Sequence, residues 1–129
     1  VIAHVGDSRV YHFRGNTLSQ ITKDHTFVAR LVELGHLTPE EAERHPRRAE
    51  LQQAIGGRAE VVPDTSVVAL EPGDWLLVCS DGLNILQKET LEGILRDAPN
   101  AERAARRLVN LANVEGANDN VTVAVVRIL

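Results

Sequence analysis

The sequence predicts an α+β fold built on antiparallel strands. Three observations carry this expectation: short strand-like runs split by Gly and Asn turn signals in residues 1–22, the nearly unbroken apolar stretch "WLLVCS" at 75–80, and helical periodicities that do not alternate regularly with strands, as a parallel βαβ array would require. About six strands with inserted helices result. At 129 residues the chain suits one domain with one core.

"VIAHVGDSRVYHFRGNTLSQIT" reads as three strands of an antiparallel meander punctuated by "GDS" and "GN", where Gly and Asn accept the positive φ of a tight reversal. After Asp24 the period changes, and Phe27, Val28, Leu31, Val32 and Leu34 fit one helical face closed by Gly35. "LTPEEAERHP" then opens a second helix, with Thr38 as N-cap, Pro39 at the first position, Glu40 and Glu41 at its positive end and Pro46 beyond. "ELQQAIGG" suggests a further helical turn, and "VVPDTSVVAL" returns to strand alternation before the "EPGD" turn. "WLLVCS" is expected to be a strand buried on both faces. Helices follow at Thr90 to Arg96 and Asn100 to Val114, the second placing Ala104, Ala105, Leu108, Leu111 and Ala112 opposite Arg103, Arg106 and Arg107. "VTVAVVRIL" closes the chain as a strand.

Composition removes several classes of function. With 43% hydrophobic and 25% charged residues the chain is of globular type, and no apolar run approaches the roughly 20 residues that span a bilayer. Direct membrane contact is not expected. A net charge of −4 and an aromatic content of 3% argue against nucleic acid as a partner. The single cysteine, Cys79, reads as a buried thiol of a reducing compartment, hence a cytoplasmic protein. The opening "VIAHV" is already strand-like, which marks the chain as a piece of a longer protein.

The chemistry is concentrated in acidic turns. Asp81 follows the apolar strand, with Gly82 allowing a tight turn, and Asp119 precedes the last strand in "GANDN". If the two strands are neighbours, both carboxylates reach one rim, where their repulsion needs a cation to offset it. A hard divalent ion such as Mg²⁺ or Mn²⁺ prefers such oxygen ligands. Asp7, in "VGDSR", could contribute a third carboxylate. Asp, Gly and Asn also dominate ordinary turns, and spacing alone leaves both readings open.

"AHVGDSRVY", "TKDHT", "LTPEEAERHP", "AIGG", "WLLVCSDGL" and "GANDNVTVAVV" resemble, in order, successive blocks of the PP2C-type (PPM) metal-dependent serine/threonine protein phosphatases, especially their bacterial branch. The resemblance implies a two-sheet antiparallel β-sandwich flanked by helices, with a binuclear Mn²⁺/Mg²⁺ centre at one end that hydrolyses phosphoserine and phosphothreonine in proteins. It carries Asp81 and Asp119 onto metal-ligand positions and Asp7 onto a position linked to a third, looser ion. The insert at about 24–48 resembles the family's flap, a mobile segment beside the active site. The family's upstream acidic residue, "DG" block and phosphate-binding arginine do not precede Val1. By this resemblance residues 1–129 are the C-terminal portion of the catalytic domain, an incomplete sandwich without its N-terminal strands. The isolated chain is then expected to be inactive or nearly so, and to self-associate through exposed sheet edges. Many relatives carry an acid four positions after the "SDG" aspartate; Ile85 stands there, and Asn84 replaces a frequent threonine.

Arg44, Arg47 and Arg48 form a basic cluster that is either a solvated face or a contact for a phosphorylated protein substrate. Ser80 lacks a "GxSxG" elbow and reads as a strand-end residue, and Cys79 as core. His4, His12, His25, His36 and His45 show no "HExxH" spacing; His25 and His45 are assigned structural roles. A non-catalytic regulatory or binding module of the same fold is the alternative from a different class, separated from the enzyme by whether the upstream "DG" and arginine blocks exist.

Overall fold

Alternating apolar residues form six strands, all paired antiparallel, in a computed structural model that describes residues 1–57 and 60–129. The chain divides into two units, Val1–Asp7 with Lys23–Val67, and Ser8–Thr22 with Val68–Leu129. Among the described residues no helix is long and apolar enough to cross a membrane.

The second unit holds strands β2 (Arg9–Arg14), β3 (Thr17–Gln20), β5 (Trp75–Cys79) and β6 (Val123–Arg127) in one sheet of order β3-β2-β5-β6. The β2–β3 reversal turns on Gly15 and Asn16, both at positive φ, as the "GN" signal predicts. Helices α3 (Lys88–Asp97) and α4 (Ala101–Val114) cover one face, α4 against β6 and α3 against β3. Asn100 caps α4 by accepting from the Arg103 amide at 2.9 Å. Phe13, Leu18, Trp75, Leu77, Leu83, Leu91, Leu95 and Leu108 interlock beneath these helices as the core. At about 25 cal/mol per Å² of apolar surface, each buried leucine contributes roughly 2 kcal/mol.

Strand β5 departs from expectation. Trp75, Leu77 and Cys79 are buried, but Leu76 is half-buried and Val78 is 40% exposed. The strand is therefore buried on one face, not two. An apolar run reports what both faces tolerate; the helices that do the burying lie on one of them.

Asp74, just before β5, is 2% exposed and is saturated with donors. Arg14 grips it with Nε and Nη2 at 2.8 and 2.6 Å, His12 Nε2 lies at 2.8 Å and the Glu71 amide donates at 2.9 Å. His12 and Arg14 both belong to β2, so this cluster fastens β2 to the entry of β5. Sequence reading took "EPGD" as a turn alone; the partners lie about sixty positions away.

The first unit pairs β1 (Ile2–His4) with β4 (Asp64–Ser66), so the expected three-strand meander is only the β2–β3 hairpin; β1 finds its partner about sixty positions on, which no local turn signal encodes. Strand β4 is shorter than the "VVPDTSVVAL" alternation suggests; Pro63 cannot donate to a ladder, and β1 offers only three residues. Helix α1 (Phe27–Glu33) is capped by Thr26, and α2 (Pro39–Arg44) by the full capping box of Thr38 and Glu41. The helical turn expected in "ELQQAIGG" is absent. Leu51 instead bridges Thr26, with the Phe27 amide bonded to Glu50 and the Gln52 amide to His25, so long-range pairing takes backbone groups that a helix would have used locally.

The Asp74 cluster gives a pH prediction. The Arg14 guanidinium first, then the Glu71 amide and His12, outweigh burial and hold the Asp74 carboxyl well below the usual carboxylate range. A depressed folded-state pKa stabilises the fold above the unfolded value of about 4 and the contribution is lost as pH falls below it. Asp74→Asn should lower Tm at pH 7 by on the order of 10 °C, and the gap to the unsubstituted chain should narrow towards pH 2, as read by circular dichroism melts.

Candidate functional site

The β5–β6 register sets the site. Cys79 pairs with Val123, the last and first residues of their strands, and the Ser80 amide continues the ladder to the Thr122 carbonyl at 3.0 Å. The segments after β5 and before β6 therefore leave the sheet at the same end. Asp81 opens a 3-10 helix running to Ile85, where the sequence suggests only a turn; Gly82 and Leu83 are buried and Asp81 is half-buried. Asp119 is exposed and accepts from the Asn120 amide at 2.7 Å.

Gly82 brings the two segments into contact. A Cβ built on it would collide with the carbonyl oxygen of Asn120 and stand 3.0 Å from both the Asn120 carbonyl carbon and Val121 Cγ2. Only hydrogen leaves room for this approach. The residue after Asp81 thus touches the residue after Asp119, and the two backbone segments that carry these acids lie side by side at one end of the β5–β6 pair. The Ser80 hydroxyl adds a second tie, donating to the Asn120 carbonyl at 3.2 Å and accepting from the Thr122 amide at 2.9 Å. The sequence places Ser80 at the strand end, directly after β5, but says nothing of its ties to residues 120 and 122; a small hydroxyl residue beside "DG" is the available signal.

Two carboxylates at one strand end supply hard oxygen donors of the type Mn²⁺ and Mg²⁺ take. Neither belongs to a group of three His, Cys, Asp or Glu ligand atoms gathered at metal-binding spacing among the described residues. Asp7 lies in the first unit.

The trio that is gathered, His4, His25 and Asp64, places its ligand atoms within 4.8 Å of one another. Its hydrogen bonds make it structural. The Gly6 amide donates to His25 Nδ1 at 3.1 Å, which leaves the proton on Nε2 to donate to Asp64 Oδ2 at 2.8 Å. A cation at Nε2 would require an imidazolate or the loss of the Gly6 bond, whereas ligating histidines keep a donor on the second nitrogen. The His25 hydrogen bond instead holds the Asp64 carboxyl below its ordinary range and ties the loop at 25 to the β1–β4 pair, in which His4 stands opposite Asp64.

In the basic cluster, Arg47 is committed locally. Its Nε and Nη2 each lie 2.7 Å from Glu50, and its guanidinium stacks 3.7 Å from the centre of the Phe27 ring. Arg44 is exposed in the last turn of α2, and Arg48 reaches the His45 carbonyl at 3.4 Å.

No protein-family model matches the chain. It is 44% identical over 128 residues to the protein phosphatase PhpP of Streptococcus pneumoniae, covering 98% of this chain and 52% of PhpP. Its fold matches the S. agalactiae serine/threonine phosphatase with a TM-score of 0.94 at 41% identity, covering 98% of this chain and 53% of that one. The catalytic domain of the phosphatase PstP, solved in complex with two manganese ions, matches with a TM-score of 0.83 at 43% identity, covering 95% of this chain and 50% of that one. The chain spans about half the length of PhpP and of both these structures. With sequence and antiparallel scaffold shared along nearly all of its residues, this chain is similar to one half of the bacterial PP2C-type (PPM) serine/threonine phosphatases.

Proposed function

We propose that the chain supplies the Asp81–Asp119 rim of a cytoplasmic Mn²⁺/Mg²⁺-dependent hydrolase of phosphoserine and phosphothreonine in proteins. The close approach of Gly82 to Asn120 supports this reading, because it joins the backbone next to Asp81 to the backbone next to Asp119 at one strand end. The two manganese ions held by the relative PstP support the choice of metal. Asp81 and Asp119 would help hold cations in a complete domain, and these would supply a water of lowered pKa and positive charge for the phosphoryl oxygens. The chain's own contribution is positional: Asp81 and Asp119 offer oxygens from the ends of paired strands, and Asp7 assists a third ion. Residues 24–48 act as the flap, and Arg44 and Arg48 meet the phosphorylated protein. Strands β3 and β6 are the edges of their sheet and the seat of self-association.

Two carboxylates alone bind a hard cation poorly, since such ions take about six oxygens. The isolated chain should therefore hydrolyse an aryl phosphate with Mn²⁺ slowly or not at all; brisk turnover that Asp81→Ala abolishes would overturn this. In a domain completed with the upstream half, Asp81→Asn and Asp119→Asn should each lower turnover by more than the roughly 100-fold that loss of an outer-shell partner costs. Gly82→Ala should destabilise the chain by about 2 kcal/mol in urea titration, as overpacking does, and shift the amide resonances of Asn120 and Val121. In the completed domain, Arg44→Glu with Arg48→Glu should raise KM for a phosphoprotein several-fold while leaving that for an aryl phosphate unchanged.

A further inference from the structure

We infer that Ser80 is a positioning residue whose hydroxyl sets Asp119 in register with Asp81 for a shared cation. The inference rests on the metal-rim reading above and assigns it a specific mechanical part.

The segment from Ala117 to Thr122 has no regular structure, and Asn118, Asp119 and Asn120 are exposed. Such a segment ordinarily moves more than the strand it joins. Here it is tied at three points. The Ser80 amide donates to the Thr122 carbonyl at 3.0 Å, the Thr122 amide donates to Ser80 Oγ at 2.9 Å, and Ser80 Oγ–H donates to the Asn120 carbonyl at 3.2 Å with the Thr122 carbonyl as a longer acceptor at 3.5 Å. Two of these three ties pass through one side-chain oxygen. They bracket Val121 and end one residue from Asp119, while Ser80 itself precedes Asp81. The hydroxyl is thus the shortest polar link between the two carboxylate-bearing segments.

Sterics and hydrogen bonding divide the work. Gly82 permits the segments to approach, because a Cβ there would meet the Asn120 carbonyl. Permission is not attraction, and the Ser80 hydroxyl supplies it by satisfying both the Asn120 carbonyl and the Thr122 amide. Without the hydroxyl, both groups turn to water and the segment gains the freedom to carry Asp119 away. A cation would then have to order the segment as it binds, which weakens its apparent affinity.

The test is a Mn²⁺ titration of the ¹⁵N-labelled chain, read as paramagnetic broadening of individual amides, which needs no turnover. The amides of Gly82 and Asn120 should broaden together before others do. Ser80→Ala should shift their midpoint to about ten-fold higher Mn²⁺, within the range that loss of a ligand-orienting partner produces, and Ser80→Thr should restore it. A midpoint unchanged in Ser80→Ala overturns the role of the hydroxyl while the rim stands. Absence of selective broadening in the unsubstituted chain overturns the rim, and this inference with it. Should Ser80→Ala lose its dispersed spectrum, Ser80→Cys keeps a side chain of similar shape with a weaker donor, and a midpoint equal to that of the unsubstituted chain overturns the role equally.

Discussion

The antiparallel pairing of β5 with both β2 and β6 is the constraint on which the second unit depends. It sets the inward faces of Trp75, Leu77 and Cys79 against the helices, and it decides which loops share an end of the sheet. Slipping β6 by one residue would exchange Val123 and Val125 for Ala124 and Val126 on the core face, and would also move Asp119 away from the end of β5. Core packing and site geometry are therefore one specification. The burial that stabilises the sheet also fixes the register that brings Asp81 and Asp119 together.

The two ends of β5 show how the same side chain takes different roles. Asp74 at one end meets Arg14, His12 and the Glu71 amide, and its charge is fully compensated from within the protein. Asp81 at the other end shows no comparable set of donors among the described residues, and the residue after it touches the Asn120 backbone. Burying an ionised carboxylate requires partners, and a half-buried one without them keeps its charge to offer. Saturation makes the first a fastener of strands; its lack leaves the second a candidate ligand.

What was legible in the sequence follows the range of the interactions that cause it. The β2–β3 hairpin, the Thr38 cap and the Asn100 start of α4 rest on neighbours within a few positions, and each forms where its local pattern indicates, whereas β1 leaves the expected meander to pair with β4, about sixty positions on. The failures are long-range. "ELQQAIGG" lost its expected turn of helix to pairing with residues 25–27, and β5 lost one covered face because nothing local to an apolar strand says where the helices lie. The candidate rim was legible only in part: "DG" and "DN" marked the carboxylates, but the Gly82–Asn120 approach and the Ser80 ties join positions about forty residues apart. The His4–His25–Asp64 trio was invisible for the same reason, and three residues of ligand type proved to be a tie between a loop and a strand pair.

The rim and the scaffold have separable energetics. The sheet, its helices and the Asp74 cluster draw on contacts internal to the second unit, so they hold whether or not an ion is present. Cation binding draws on the number of oxygens that converge, and two carboxylates are few for an ion that seeks about six. A fold can therefore match the phosphatase of S. agalactiae closely over 98% of this chain and 53% of that one, independently of how many oxygens a cation would find here. On the reading proposed above, what this half contributes is preorganisation: Gly82 and Ser80 hold the segments that carry Asp81 and Asp119 together, so that a cation would bind without first ordering the segment that carries Asp119.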